Sequence, residues 1–509
     1  MPRLALLSGS RIPAVSLPDD AVVLRPPPPL DPIADVAAAV DEALRYPLSG
    51  PPLEELAAPG NRVTVVVAPP LLPLPGAPQD PRQEALAAVI AALERVGVAS
   101  ERQTILVAGG LEQRAGQRDL DALLHPARAR QFHGSVVVHD CESTDLRRLG
   151  EAAGIELRVS PALLDADLVV VVSAAETVLD GGPAVLLGGC DAAPARLASA
   201  DSLLQTSTSP GWELALALER LLASRAPLLG LSLVLDHPHV TGRFRGYPHD
   251  PAADERTVRA PTRRVLNSLP AGVRRWLLQG ASRELHAAAA FAGPPSVAHA
   301  EALLRGIALR AAGVERPLDA LVVPLPWKSP HQPREPLNPV TAAAVGLGLA
   351  LRLWRDAFPL VEGGTVVLLH SFSRAFGNGP GAPYRWLFHA LRDSREPEDV
   401  AASERLAATD ERALTAYRAG QAPHPLLPYV DWDGCEPALR RIGRVIVAGC
   451  RDAGAARALG FVPTHSPATA LEMAYGVADG RARVGVMLAP PYVPLLVGSE
   501  APGAAAPTA

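Results

Sequence analysis

One lysine, Lys328, stands among the 48 lysine and arginine residues of this 509-residue chain. A lysine amine can lose its proton to become a base or nucleophile, or can be acylated as an amide tether, whereas an arginine guanidinium does neither. The scarcity of lysine follows a chain-wide preference for Ala, Pro, Gly and Arg, as codon drift in a GC-biased genome produces. The position of Lys328, in Trp327-Lys328-Ser329-Pro330 directly after a predicted strand, is the informative feature.

Glycines and histidines beside predicted strand ends are further candidates. Gly181-Gly182 provides either a permissive turn or a ligand contact, and His139-Asp140 either a turn cap or an acid/base or metal element. The loop 376–381 precedes Arg385 and Trp386, so backbone N–H groups and a guanidinium could bind an anion there; a mobile loop is the alternative. A separate group is predicted to be surface turn histidines: His237, His239 and His249.

Generic motifs of catalysis are missing from the sequence. It contains no G-x-G-x-x-G after a strand, no Walker loop and no H-E-x-x-H. The cysteines are far apart and form no C-x-x-C pair, so we predict free thiols and no metal site: Cys141, Cys190, Cys435 and Cys450.

Short β-branched runs alternate with helical patterns, which predicts an α/β fold with two mostly parallel sheets, flanking helices and a cleft between two domains. The predicted strands of the first half are Arg62–Ala68, Thr104–Ala108, Ser135–His139 and Leu168–Ser173, with a helix at Arg82–Val96 and a hairpin formed by Leu231–Leu235 and Val240–Tyr247. The second half has predicted strands at Ala320–Pro324, Gly364–His370, Arg444–Ala448 and Val484–Leu488, and helices at Val340–Trp354, Pro383–Leu391 and Ala468–Val477.

Four regions follow from this pattern. We predict an N-terminal α/β domain at 1–255, a helical region at 256–315, a second α/β domain at 316–495 and a disordered tail at 496–509. The formal net charge of −5 argues against a nucleic-acid partner. No apolar run is long enough to cross a bilayer and the first residues lack a signal-peptide pattern, so we expect a cytoplasmic protein.

Several segments, in the same order along the chain, resemble the LarA-type nickel-pincer-nucleotide lactate racemases. The segments that resemble motifs of that family are Ile105–Gly110, Val138–Cys141, Asp167–Gly182, Val240–Gly246, Val323–Asn338, Gly377–Trp386 and Ser466–Glu472. The resemblance covers most of the chain between about 60 and 490. It implies a 2-hydroxyacid racemase or epimerase fold, with a nucleotide cofactor attached to a lysine and nickel bound by a histidine.

The chain departs from the family at the positions that carry this chemistry. Ala184 stands where the resemblance implies the tethering lysine, and no histidine lies between Asp140 and Asp236. The position of one acid/base histidine corresponds to the region of Glu112, and that of another to Glu176. Either carboxylate could replace a base if desolvation raised its pKa. The Pro-rich segment 68–75 has no arginine at the family's anion contact.

Two functions remain open at this level. The first is a lactate racemase-like enzyme that has lost the lysine-tethered mechanism, and the second is a non-catalytic binding or regulatory protein of the same fold. In the family, the region of Lys328 supplies a lysine that contacts an acid group. We therefore predict a small anionic ligand, a 2-hydroxyacid or a nucleotide, and a protein partner under the second reading. The predicted ligand-binding residues are Lys328, Arg385, Trp386, Gly181 and Gly182.

Overall fold

The computed structural model describes residues 3–29, 31–69, 80–121, 123–240, 245–279, 283–328, 336–377, 379–476, 482–488 and 491–498. The predicted α/β fold is confirmed, because two mostly parallel sheets flanked by helices form its framework. Strands and helices are numbered along the chain.

The first sheet has the strand order β13-β10-β9-β4-β5-β6. Its strands are β4 (Val63–Val67), β5 (Gln103–Val107), β6 (Ser135–Val138), β9 (Leu168–Ala174), β10 (Leu228–Leu235) and β13 (Ala287–Gly293). All neighbours are parallel except β10 and β13. Alternate residues of β9 pack on opposite faces, since Val170 and Val172 join one apolar cluster and Val169 and Val171 another. This double burial explains why β9 reads as a continuous apolar run.

The second sheet has the order β19-β18-β17-β15-β20-β3, and all of its neighbours are parallel. Its strands are β3 (Val22–Leu24), β15 (Leu318–Pro324), β17 (Leu360–Leu369), β18 (Ile442–Ala448), β19 (Val462–Thr464) and β20 (Val484–Met487). Apolar clusters cover both faces of this sheet as well.

Small sheets and helices complete the described fold. The remaining strands are β1 (Arg3–Ala5) with β2 (Ala14–Ser16), β7 (Arg147–Ala152) with β8 (Ile155–Val159), β11 (His239–Val240) with β12 (Arg283–Glu284), and β14 (Ala312–Val314) with β21 (Leu495–Val497) and β16 (Trp354–Arg355). The α-helices are α1 (Val36–Arg45), α2 (Leu53–Leu56), α3 (Pro81–Arg95), α4 (Gln117–Leu120), α5 (Pro126–Ala129), α6 (Pro161–Leu164), α7 (Ala184–Leu187), α8 (Ala192–Leu197), α9 (Pro210–Ala223), α10 (Pro251–Arg259), α11 (Pro261–Ser268), α12 (Ala271–Gln279), α13 (Pro295–Arg310), α14 (Pro339–Ala343), α15 (Ala382–Asp393), α16 (Pro397–Ala408), α17 (Glu411–Arg418), α18 (Leu427–Asp433), α19 (Glu436–Leu439), α20 (Ala453–Ala458) and α21 (Pro467–Tyr475).

The predicted hairpin after residue 230 is wrong. Strand β10 lies inside the sheet between β9 and β13, and its antiparallel partner comes from the stretch predicted to be helical. Within that stretch, β13 is rich in alanine, which disguises a strand as a helix in a sequence pattern. Residues 241–244 of the predicted hairpin lie outside the described residues.

Chain segments from the N-terminus and C-terminus cross the predicted domain limits. Strand β3 lies at the edge of the second sheet, where it pairs with β20, although it precedes the whole first sheet in sequence. Residues Leu495–Val497 form β21 between β14 and β16, so this part of the predicted tail is ordered by pairing. Residues 499–509 lie outside the described residues.

Buried side chains correct one further prediction and confirm another. His237 and His249 are buried, with ring centroids 5.5 Å apart, so they are not surface histidines. The four cysteines are free and buried, as predicted. In the described part of the chain, no helix is long and apolar enough to span a bilayer.

Candidate functional site

A cavity of about 570 Å³ lies between the carboxyl end of the first sheet and helices of the second half. The first sheet contributes the loop 108–112 after β5, the loop 177–181 after β9, and α7. The second half contributes the continuation of α14 through 344–352, and α18 with α19. Carboxyl ends of parallel strands are where α/β folds bind ligands, because strand order and loops open a crevice there.

Gly181 and Gly182 form a tight turn with φ angles of 119° and 54°. A Cβ atom on Gly181 would lie 2.5 Å from the Ala174 carbonyl oxygen, and one on Gly182 would lie 2.3 Å from the Cβ of His299. The Gly182 N–H donates a 2.9 Å hydrogen bond to the hydroxyl of Ser173. The close approach of α13 therefore explains the glycines without a ligand.

His299 occupies the space beneath this turn, and its ring is fully buried. Its Nε2–H donates to the Thr177 carbonyl oxygen at 2.9 Å, while Nδ1 lies 3.5 Å from the hydroxyl of Ser232. Burial lowers the pKa of His299 to about 4, and the ring stacks on Trp212 with centroids 5.8 Å apart. The histidine is therefore a neutral packing residue with its N–H group already bonded.

Carboxyl groups gather at the end of β9. The side chains of Asp180 and Glu176 are hydrogen-bonded, and burial, followed by the negative charge of Glu176, raises the pKa of Asp180 well above its usual value. Glu112 adds to this effect, whereas Arg82 opposes it, with Nη1 3.9 Å from the Glu176 carboxylate. The Asp180 carboxyl therefore keeps its proton to a higher pH than an ordinary aspartate does, and it can hold or release that proton beside the cavity.

The opposite wall also carries polar groups. The Tyr384 hydroxyl donates a 2.6 Å hydrogen bond to Asp431, which lines the cavity. Arg352 is buried there, donates to the carbonyl oxygens of Gly348 (3.1 Å) and Ala200, and has a pKa lowered by burial to about 10. Its Nε has no hydrogen-bond partner.

The cavity lining is more acidic than basic. Among the described residues, its charged members are Glu112, Asp180, Asp201, Asp431, Asp433 and Glu436 against Arg196, Arg352 and Arg440. No lysine, histidine or cysteine belongs to the described lining. The wall therefore offers carboxyl and guanidinium groups to a ligand, but no amine for an amide bond and no soft or imidazole ligand for a metal.

The structure brings some predicted site residues together. Glu112, Gly181 and Ala184 line the cavity, and Glu176 contacts its wall through Asp180. Gly182 follows directly and packs on His299.

The other predicted residues lie elsewhere, outside the described cavity lining. His139 is buried and donates from Nε2 to the Cys190 carbonyl oxygen at 2.6 Å, and burial lowers its pKa. Arg385 is exposed on α15 and bonds to the Gly377 carbonyl oxygen, while the half-exposed Trp386 donates to the Ser403 hydroxyl at 3.1 Å. Lys328 places its Nζ 5.1 Å from the Trp327 ring centroid.

Sequence reasoning missed Asp180, Tyr384, Asp431 and Arg352 as site residues. Asp180 had a usable signal, since it immediately precedes the glycine pair at the end of a buried strand. Asp431 and Arg352 lie on helical segments and line the cavity only because the two halves pack together, and Tyr384 contacts Asp431 from α15. No local pattern in the sequence indicates that placement.

A second polar group joins the two halves: Cys141, Glu142 and His424 have possible ligand atoms within 4.8 Å of one another. The Leu426 N–H donates to Nδ1 of His424 at 3.2 Å, so the neutral ring carries its proton on Nε2, which donates to Glu142 at 3.1 Å. Burial raises the pKa of the Cys141 thiol to about 12. These protonation states favour a hydrogen-bonded contact over a metal centre.

Comparisons with known proteins agree with this architecture. The family profile of the lactate racemase N-terminal domain matches residues 9–179. The fold is similar to that of the lactate racemase apoprotein from Thermoanaerobacterium thermosaccharolyticum, with a TM-score of 0.61, 16% identity, and coverage of 97% of this chain and 100% of that one. A Thermotoga maritima protein is similar with a TM-score of 0.50, 11% identity, and coverage of 92% and 100%. No curated protein sequence matches. The chain thus combines a match to the lactate racemase N-terminal domain over residues 9–179 with a fold that is similar to that of lactate racemase over nearly its whole length.

Proposed function

We propose that this protein binds a small molecule in the interdomain cavity without the lysine-tethered nickel-pincer nucleotide of its family. One observation carries the proposal. Ala184 stands at the position that the resemblance assigns to the tethering lysine, and it lines the cavity at the first residue of α7. A methyl side chain cannot form an amide with a nucleotide.

The surrounding residues do not fit the tethered cofactor either. His299 is the histidine against the glycine turn, and its N–H group is bonded to the Thr177 carbonyl oxygen. The described lining itself supplies no imidazole, thiol or amine. The groups that remain are the hydrogen-bonded carboxyls of Asp180 and Glu176, the Asp431–Tyr384 pair and Arg352, which suit a hydrogen-bonding ligand with both donors and acceptors.

The test is intact-mass and nickel analysis after co-expression with the enzymes that make the pincer cofactor. We expect the unmodified mass and no stoichiometric nickel. A lactate racemase with an intact lysine motif, expressed in parallel, is the positive control, and an Ala184→Lys variant asks whether the amine alone restores attachment. A nucleotide adduct with one nickel per wild-type chain would refute the proposal.

A second candidate is an isomerase that moves a proton with the Asp180–Glu176 pair. The hydrogen bond between these carboxyls favours it, because the pair can hold or release a proton beside a cavity. The assay is exchange of the α-hydrogen of lactate and other 2-hydroxyacids in D₂O, followed by NMR. Exchange that persists unchanged in Asp180→Asn would reject this candidate.

A further inference from the structure

Three parallel strands of the second sheet end beside one another at a place that the cavity does not include. Strands β15, β17 and β18 are neighbours, and the loops after them carry Trp327, His370 and Arg451. The turn 8–11 lies across these ends, since the Gly9 N–H donates to the Leu325 carbonyl oxygen at 2.9 Å. Two backbone hydrogen bonds between Ser8 and Arg11, of 2.8 and 2.9 Å, close this turn.

Four arginines, Arg11, Arg274, Arg275 and Arg451, converge here and are called the arginine cluster. Arg11 closes the turn 8–11, and the Arg451 N–H donates to the carbonyl oxygen of Ser371, next to His370, at 2.9 Å. Burial and then the positive charges of Arg11, Arg451 and Arg275 lower the pKa of Arg274. Arg274 is fixed by hydrogen bonds from Nε to the Ser10 hydroxyl at 3.2 Å and from Nη1 to the Leu269 carbonyl oxygen.

No acidic partner neutralises this charge within the described chain. None of the four arginines forms a salt bridge with a described carboxylate, and the Nε of Arg275 is buried without a hydrogen-bond partner. Asp452, next to Arg451 in sequence, bonds the Arg374 Nε at 2.6 Å and caps α20. A buried donor without a partner is costly, and so are like charges held together without a counter-charge, so an anionic ligand would stabilise the arginine cluster.

His370 adds a neutral donor beside the arginines. The Phe372 N–H donates to its Nδ1 at 3.2 Å, so the neutral ring carries its proton on Nε2. Burial, then the charge of Arg275, lowers the pKa of His370 to about 4, which keeps the ring neutral at physiological pH. Its Nε2 lies 3.7 Å from where a Cβ on Gly9 would stand, so the turn 8–11 is in contact with the edge of the ring that carries this N–H.

Two cationic side chains of this region lie over the indole ring of Trp327. The Arg275 Cζ lies 5.8 Å from its ring centroid and the Lys328 Nζ lies 5.1 Å away. Stacking of this kind holds a guanidinium in place without neutralising it, so its N–H groups stay available for an anion.

We propose that Arg274, Arg275 and Arg451, with the Nε2–H of His370, bind an oxyanion with two negative charges. A phosphate group of a small metabolite and a dicarboxylate share this chemistry, because each presents several acceptor oxygens and a charge of −2 to forked guanidinium donors. The site does not depend on the function proposed for the interdomain cavity, since none of these residues lines it.

The test uses isothermal titration of the full chain with sodium phosphate, at pH 7.5 and constant ionic strength set with sodium chloride. We expect saturable binding to one site by the wild type. Arg275→Gln and Arg451→Gln should each weaken it about tenfold or more, because each removes a charge-assisted hydrogen bond. Arg259→Gln, at an 82% exposed side chain on α10, is the matched control and should bind like the wild type.

Loss of binding can be distinguished from loss of folding even if Arg275→Gln folds poorly, because Arg451 is exposed and Arg451→Gln leaves the core intact. Tighter binding of succinate than phosphate, with the same losses in the variants, supports the site and identifies a dicarboxylate. Three results overturn the proposal: no saturable phosphate or succinate binding, equal losses in Arg259→Gln, or lactate binding as tightly as either dianion.

Discussion

Replacing Gly182 with alanine tests whether the glycine turn exists to admit His299. The φ angle of 54° alone costs a residue with a Cβ about 1 kcal/mol. The new methyl would also stand 2.3 Å from the Cβ of His299 and 3.0 Å from the Pro295 carbonyl oxygen, and such overpacking costs about 1–3 kcal/mol. We therefore expect the free energy of unfolding to fall by about 2–4 kcal/mol.

Urea denaturation followed by tryptophan fluorescence and far-UV circular dichroism measures this loss. Gly154→Ala is the matched control, since Gly154 has a φ of 76° but nothing within 4 Å of its Cβ position, so it should lose only the backbone share. His299→Gly removes the clashing Cβ, so adding Gly182→Ala in that background should cost much less than it does in the wild type. Equal losses for Gly182→Ala and Gly154→Ala, or strict additivity with His299→Gly, would refute the packing explanation.

Three further predictions concern protonation and the contact between the two halves. Because the pKa of Asp180 is raised in the folded protein, the free energy of unfolding should fall as pH rises above about 4, and Asp180→Asn should flatten this slope in urea titrations from pH 4.5 to 8. The pKa of His299 is lowered from 6.5 to about 4, so protonation of this histidine should reduce the free energy of unfolding by about 3 kcal/mol as the pH falls from 6.5 to 4. The free energy of unfolding of His299→Gln should therefore fall less than that of the wild type between pH 7 and pH 4.5. The Tyr417 hydroxyl donates to the Gly110 carbonyl oxygen at 3.0 Å across the two halves, and Tyr417→Phe should cost about 1–2 kcal/mol, whereas Tyr46→Phe, at an exposed side chain, should cost nothing measurable in the same assay.

The strand pattern made the two sheets predictable, because buried parallel strands are continuous β-branched runs. Strands β4, β5, β9 and β15 begin and end within two residues of their predicted limits. Pairing across long sequence separations was not predictable: β3 joins β20, and β13 joins β10 despite four consecutive alanines. Each of these strands pairs with an edge strand that is available only in the folded sheet, and the local composition of a segment does not indicate which edge that is.

Part of the candidate site could likewise be predicted from the sequence, and part of it could not. Glycine pairs and polar residues at strand ends could be found in the sequence, and Glu112, Gly181 and Ala184 line the cavity wall. That position 184 is an alanine and not a lysine is visible in the sequence as a residue type, and no neighbour can turn an alanine into an amine. The role of Gly181-Gly182 could not be predicted from the sequence, because a turn that contacts a ligand and a turn that packs against His299 require the same two glycines. Only the position of α13 distinguishes a ligand-binding turn from a packing turn. That position depends on β13, a strand that the sequence pattern did not predict.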